Sequence, residues 1–188
     1  MGTYGPLGGG TFTDDATVGT VSISNPSNVA SSDNSYATSI LLLSQVSHYC
    51  KATNFGFLIP SDATVTGITV TIERSTTVIA SLIDNSVKIV KGGTISGNEK
   101  ATGANWPNSD ANAIYGSSTD TWGLTWIPAD INASNFGVAI SVNASLLAGT
   151  GQIDYISIQV DYTGSNRPES TLSHISVGDG MGRNEQAS

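Results

Sequence analysis

The sequence predicts an all-β protein: an antiparallel two-sheet β-sandwich of jelly-roll or Greek-key type, with an extended N-terminal arm and a C-terminal tail. Apolar β-branched residues alternate with polar ones in several segments, which is the period of a strand with one buried face. Turn-forming clusters separate these segments at short intervals, as in sandwiches and barrels. Long stretches with an apolar period near 3.6, which would indicate helices, are not found in the sequence.

The chain of 188 residues has the length of one domain with terminal extensions. Residues 1–16 contain five glycines, a proline and few apolar residues, so they are expected to form an N-terminal arm. Residues 17–163 carry the alternating segments and are assigned to the sandwich. Residues 164–188 have little apolar content and are expected to form a C-terminal tail.

The clearest predicted strand is 65–73, where Ile68, Val70 and Ile72 alternate with threonines. One short helical turn is expected within 128–137, because Pro128 suits an early helical position and Asp130 its first turn. The remaining predicted strands, in chain order, are 18–23, 36–44, 87–90, 136–142 and 153–162.

The charge balance excludes several classes of partner. Seven Lys and Arg residues stand against 15 Asp and Glu residues, which gives a net charge of −8. Nucleic acids and anionic membranes need a basic surface, so neither is expected as a partner. The longest aliphatic run is four residues, at 40–43, and the N-terminus lacks a basic and an apolar region. We therefore expect no signal peptide and no membrane anchor.

Catalytic residues are not predicted. His48 and Cys50 are two positions apart, which on a strand places both side chains on one face, but no nucleophile motif accompanies them. A core position for Cys50 and an edge position for His48 is the alternative. Glycoside hydrolysis needs two converging carboxylates, whereas Glu73 is read as the solvated end of a strand.

Metal ions and cofactors are not predicted either. Five aspartates in predicted loops could supply oxygen ligands to calcium, but their spacing matches no calcium-binding loop. Aspartate is also common in loops because its side chain bonds the backbone of turns. The five residues are Asp14, Asp15, Asp110, Asp120 and Asp130.

The aromatic residues between positions 106 and 126 have two interpretations. Tryptophan is costly to expose, so these side chains are expected to close a modest core. The alternative is an aromatic platform on which sugar rings stack. The residues concerned are Trp106, Trp122, Trp126 and Tyr115, while Asn132 and Asn143 each begin a match to the N-glycosylation sequon.

Several segments together resemble a known module. They read NPSNVASSDNSYAT (25–38), FGFLIPSDATVTGITVTIER (55–74), VKIVKGG (87–93), WPNSDANAIYGSSTDTWGLTWIPADINASNFGVAISV (106–142) and IDYISIQVDYT (153–163). Their order and wording are similar to a β-sandwich module of tailed-bacteriophage virion structural proteins, which also recurs in some bacterial surface or phage-derived proteins. The resemblance covers residues 24–163.

The resemblance implies a non-enzymatic virion structural protein, with a capsid decoration (cement) protein as the leading expectation. Such a protein would lie on the outer surface of the phage particle and stabilise the head through contacts with the major capsid protein or other virion proteins. A homo-oligomer is expected, with a trimer as one form. Two alternatives stay open: a tail-associated receptor- or carbohydrate-binding module, and a hydrolase that uses a loop carboxylate or the pair His48 and Cys50.

Overall fold

The computed structural model describes residues 1–79 and 81–164. This part of the chain forms ten strands, one short helix and one 3-10 turn at Pro26–Val29. Among these residues, no helix has the length and apolar character needed to cross a membrane. The elements are β1 (Gly2–Gly8), β2 (Thr11–Asp15), β3 (Ala37–Leu41), β4 (Tyr49–Thr53), β5 (Thr64–Thr76), β6 (Leu82–Lys91), β7 (Thr94–Ser96), β8 (Ala111–Ser117), α1 (Pro128–Asn132), β9 (Gly137–Ala144) and β10 (Gly149–Thr163).

The strands form two antiparallel sheets that pack face to face, which confirms the predicted β-sandwich. The first sheet has the order β1-β10-β5-β8, and β3 pairs with β10 along the same edge as β1. The second sheet has the order β2-β4-β9-β6-β7. Strands β3 to β10 therefore make a jelly roll, with β3-β10-β5-β8 facing β4-β9-β6-β7.

The N-terminal segment 1–16 differs from the expected arm, because it is paired into both sheets. Strand β1 pairs with β10 from Gly2↔Tyr162 to Gly8↔Ser157, and β2 pairs with β4 from Thr11↔Thr53 to Asp15↔Tyr49. Edge pairing is made by backbone groups and needs little apolar side chain, so a glycine-rich segment can supply it. The predicted tail, 164–188, lies outside the described residues except for Gly164.

Other elements agree with the prediction only in part. Strand β3 confirms the strand within 36–44, and α1 confirms the helical turn that begins at Pro128. The expected strand 18–23 is not formed; there the chain makes isolated bridges from Val21 to Ser47 and from Ser24 to Thr38. The sequence reasoning missed β4, β7 and β8.

The core lies between the sheets, where the predicted alternation places it. Ile68, Val70 and Ile72 on β5 are completely buried, while the threonines between them lie on the outer face. The inward faces of β9 and β10 are buried in the same way, so the apolar faces predicted in 136–142 and 153–162 are confirmed.

Strands β5 and β10 run the full length of the body and define its two ends. Gly151 of β10 pairs with Thr76 at one end, and Thr163 pairs with Thr64 at the other. Thirteen residues of β5 at about 3.3 Å per residue separate these ends by roughly 40 Å. Sites at the two ends therefore do not share residues.

Candidate functional site

The aromatic residues considered for a sugar platform lie in the core. Exposed fractions are 1% for Trp106, 0% for Trp122, 7% for Trp126 and 3% for Tyr115. A platform needs a solvent-facing ring, so the structure corrects that expectation and supports the core interpretation. The indole nitrogen of Trp122 donates to the Ile68 carbonyl at 2.9 Å, which satisfies it inside the protein.

Two of these rings belong to a buried polar network around Asp84. Trp106 Nε1 donates to Asp84 Oδ1 at 2.8 Å, and the Tyr115 hydroxyl donates to Oδ2 at 3.0 Å. Arg74 Nη1 lies 3.5 Å from the same carboxylate, and its guanidinium stacks 4.7 Å from the Trp106 ring centroid. Burial, together with the Asp84 charge, raises the pKa of Tyr115. Asp84 Oδ2 also accepts hydrogen bonds from the Thr102 N–H and hydroxyl, at 3.1 and 3.2 Å, so this carboxylate orients several core side chains.

His48 and Cys50 do not form a nucleophile and base. The Cys50 thiol is completely buried in the core, and burial raises its pKa to about 12, so the reactive thiolate is disfavoured. His48 lies just before β4 and its Nδ1 is 2.9 Å from Asp14 Oδ2. Core packing therefore accounts for Cys50, and the contact with Asp14 on the neighbouring strand β2 accounts for His48.

The five aspartates expected in loops are engaged within the fold, and only Asp110 and Asp120 lie in loops, because Asp14 and Asp15 belong to β2 and Asp130 to α1. Asp110 accepts hydrogen bonds from the Tyr36 and Ser75 hydroxyls, each at 2.7 Å. The other four pair with basic side chains, which explains their presence without an ion. These pairs are Asp14 with His48, Asp15 with Lys51, Asp120 with Lys100 and Asp130 with Lys91.

A cluster of three carboxylates lies on the outer face of the first sheet. Oxygens of Glu73, Asp110 and Asp154 all lie within 4.8 Å of one another and could together contact a cation. Asp154 also accepts hydrogen bonds from the backbone N–H of residues 33 and 34, at 3.4 and 3.1 Å. The hydrogen bond to Asp110 is the main reason that the pKa of Tyr36 rises to about 12. Sequence spacing did not reveal this cluster, since Glu73 and Asp154 come together only through strand pairing.

A groove opens at the end of the body where β5 begins. Its cavity volume is about 550 Å³. Its apolar wall includes Trp126, Ile127 and Pro128. Its polar wall includes the exposed side chains of Ser61, Asp62 and Thr64. We call this feature the groove.

Helix α1 is held against the 57–60 segment by one side chain, and this contact shapes the groove. Asn132 Oδ1 accepts the Ile59 N–H at 2.7 Å, and Asn132 Nδ2 donates to the Ile59 carbonyl at 2.9 Å. Asp130 Oδ2 accepts the Ile127 N–H at 3.1 Å and pairs with Lys91 at 3.0 Å. Asn132, which the sequence marks only as a sequon, thus has a structural role here.

Trp126 lines the groove, but it is held inside the fold and exposes little of its ring. Its Nε1 donates to the Thr121 carbonyl at 2.9 Å, and its ring packs edge-on against Phe136 with centroids 5.5 Å apart. Lys91 Nζ lies 5.1 Å from the same ring centroid. The strongly exposed apolar group of the groove is instead Ile127, which is 58% exposed.

The opposite end of the body carries an apolar surface. We define the apolar end as residues 40–46, 76–79 and 144–150, three segments that meet where β5 ends. Seven of the eleven exposed large apolar side chains in the described part of the chain lie there: Ile40, Leu42, Leu43, Val78, Ile79, Leu146 and Leu147. The sequence reasoning placed 40–43 in a strand and did not identify this surface.

Comparisons with known proteins identify no family. No family model and no curated protein matches the chain. Among solved structures, "BiXyn10A CBM1 APO" is 10% identical, with 80% of this chain and 89% of that chain covered and a TM-score of 0.42. "CBM4 structure and function" is 8% identical, with 70% and 87% covered and a TM-score of 0.39.

Proposed function

We propose that this protein is a non-catalytic β-sandwich that binds an oligosaccharide in the groove. The observation that carries the proposal is the meeting of an apolar wall with a wall of unburied hydroxyl and carboxylate groups. Sugars present both kinds of surface, because C–H groups line the ring faces and hydroxyls line the rim. Small-ligand sites combine a mostly apolar lining with a few polar groups that fix orientation, and the groove has this composition.

The roles of individual residues follow from their exposure and chemistry. Ile127 and Trp126 would contact a ring face, while Asp62 would accept hydrogen bonds from sugar hydroxyls. A carboxylate acceptor makes stronger hydrogen bonds than a neutral group. The volume of about 550 Å³ lies within the range of roughly 300–1,000 Å³ that small-ligand sites occupy.

The same groove supports binding without turnover. Glycoside hydrolysis usually requires two carboxyl groups that flank the scissile bond. Asp62 is an exposed carboxylate on the groove wall, whereas the nearby Asp130 is committed to Lys91 and to the Ile127 N–H. A single free carboxylate suits recognition better than acid–base chemistry.

Affinity electrophoresis against a panel of soluble polysaccharides, followed by calorimetry with oligosaccharides of the retarding polymer, tests the proposal. Asp62→Ala and Ile127→Ala are each expected to weaken binding about tenfold, because each removes one exposed contact worth about 1–2 kcal/mol. Ile114→Ala is the matched control for Ile127, an exposed isoleucine away from the groove. Asp33→Asn is the control for the loss of an exposed charge, because the amide keeps an acceptor for the hydrogen bonds that Asp33 accepts from Ser31 and Ser35. Failure of the whole panel to retard the protein, or equal losses in the controls, would overturn the proposal.

A second candidate is the virion subunit that the sequence resemblance implies. The exposed apolar end favours it, since large apolar surfaces usually mark contacts with other proteins. In this role the protein would decorate the outer surface of a phage head and contact the major capsid protein. Capsids that lack the protein should then take it up in saturable, symmetric numbers; absence of uptake would remove this candidate and leave the saccharide proposal intact.

A further inference from the structure

The apolar end holds most of the exposed aliphatic surface of the described chain. Leu42 is 63% exposed, Ile79 66% and Leu146 63%. Soluble monomers rarely expose large contiguous apolar patches, so such a patch marks a surface that is normally covered. The groove lies at the other end of the body, and this inference does not rest on what the groove binds.

Backbone hydrogen bonds bring the three segments of the apolar end together. Ser44 N–H donates to the Ala144 carbonyl at 2.7 Å, and Ser145 N–H donates to the Ser81 carbonyl at 3.0 Å. Thr77 N–H donates to the carbonyl of residue 150 at 3.2 Å. The exposed side chains therefore belong to one continuous surface.

The most prominent leucines stand on a rigid turn. Gln45 N–H donates to the Leu42 carbonyl at 3.0 Å, while Gln45 Oε1 accepts the Leu42 N–H at 2.8 Å. Both hydrogen bonds close the turn that carries Leu42 and Leu43. Because the backbone of this turn is already fixed, docking would cost little further backbone entropy.

The absence of charged residues at the apolar end indicates which partner covers it. The segments 40–46, 76–79 and 144–150 contain no acidic, basic or histidine residue, whereas the whole chain carries a net charge of −8. Two copies of such a chain repel each other over most approaches. The apolar end is a surface on which two copies can meet without bringing their own acids into contact.

The first and last described residues of the chain lie away from this surface. Gly2 pairs with Tyr162 and Thr163 pairs with Thr64, so the start of the chain and residue 164 lie at the groove end. A second copy can therefore approach the apolar end without meeting either point. Closed two-fold pairing, in which the same patch meets itself, is the commonest form of self-association.

We propose that two copies of this chain associate end to end through the apolar end. Sedimentation equilibrium of the full chain is expected to show a monomer–dimer equilibrium. Leu43→Glu and Leu146→Glu are each expected to weaken the dimer at least about tenfold, because a charge enters the centre of an apolar contact. Ile114→Glu is the matched control, since Ile114 is 67% exposed on β8, outside the apolar end.

A mixing experiment identifies the partner as the same surface of a second copy. Leu43→Glu and Leu43→Lys chains should each dimerise poorly alone, and their mixture should associate more strongly than either. Thermal melting must show that each variant is folded. The proposal is overturned if the wild-type chain stays monomeric at all accessible concentrations, if Ile114→Glu breaks the dimer and the leucine variants do not, or if mixing restores nothing.

Discussion

The two ends of the sandwich combine surface and interior in opposite ways. The apolar end exposes aliphatic side chains and lies above a buried network of charged and polar groups around Asp84. The groove end exposes polar side chains beside the apolar Ile127 and lies above packed aromatic rings. The surface is therefore apolar at one end and mixed at the other, while the interior beneath is polar at the first end and aromatic at the second.

The buried network is anchored to the strands that lead to the apolar end. Arg74 is two residues before Thr76, the last residue of β5, and Asp84 is two residues after Leu82, the first residue of β6. Trp106 N–H donates to the Leu82 carbonyl at 2.8 Å. The loops of the apolar end therefore follow strands whose positions are fixed by directional hydrogen bonds and by the contact between Arg74 and Asp84.

The groove end depends on ring packing instead. Phe57 and Phe136 have centroids 5.9 Å apart, and Phe55 lies 6.2 Å from Phe57. Trp126 completes the cluster against Phe136. Burial of these rings stabilises this end without using the side chain of Asp62. Asp62 and its polar neighbours therefore remain available to solvent and to a ligand.

The largest loss of stability that tests the comparison between the two ends is expected from a substitution at Asp84. Asp84→Asn removes the charge that compensates Arg74 in a site where both side chains are at most 7% exposed. Breaking a buried ion pair from one side costs about 3–5 kcal/mol in free energy of unfolding. Urea denaturation measures this loss, and Asp62→Asn, an exposed acid at the groove end, is the control with an expected change under about 0.5 kcal/mol.

Hydrogen exchange locates the effect of the same variant. If the network supports the apolar end, amide protection should fall most in 76–79 and 144–150 and least around α1. A uniform loss of protection, or a loss of stability no larger than in Asp62→Asn, would show that the network does not hold that end in particular.

The sequence predicts the strands whose side chains alternate between core and solvent. It misses strands that are defined mainly by backbone pairing. The alternation of Ile68, Val70 and Ile72 identifies β5, because a half-buried strand needs that period. Strand β1, with Gly2, Gly5 and Gly8, has no such alternation and forms through edge pairing with β10. Local pattern could not predict a partner that lies more than 140 positions away.

The candidate sites were harder to predict for a related reason. Trp126 could be recognised as a core or binding residue, but only the fold decides that it lines the same groove as Asp62. Likewise, Leu43 and Leu146 lie in separate apolar runs, and only backbone hydrogen bonds between their loops make them neighbours. Both surfaces depend on long-range contacts that single-sequence patterns do not contain.

Four acids outside the apolar end have lowered pKa values: Asp15, Asp33, Glu99 and Asp120. The hydrogen bond from the Ser31 hydroxyl is the main cause for Asp33. The hydrogen bond from Lys51 is the main cause for Asp15. Burial alone would raise the pKa of Glu99 and of Asp120, but hydrogen bonds outweigh it: those from Ser86 and backbone N–H groups for Glu99, and those from Lys100 and a backbone N–H for Asp120.

A smaller effect is expected on lowering the pH. It should decrease the melting temperature of the folded chain without weakening the association of two copies at the apolar end. The unfolded pKa is 3.8 for Asp and 4.5 for Glu. A carboxyl whose pKa is lower in the folded chain stabilises the fold at pH values above its unfolded pKa. This contribution is lost as the pH falls through the folded pKa. The melting temperature is therefore expected to fall by a few degrees as the pH drops below about 4.5. The dimer that we propose has no titrating group in its contact, and protonation lowers the net negative charge, so the folded chain should associate no less strongly. Sedimentation and thermal melting on the same samples measure both quantities; dissociation that precedes any loss of stability would place acids in the contact and contradict a charge-free interface.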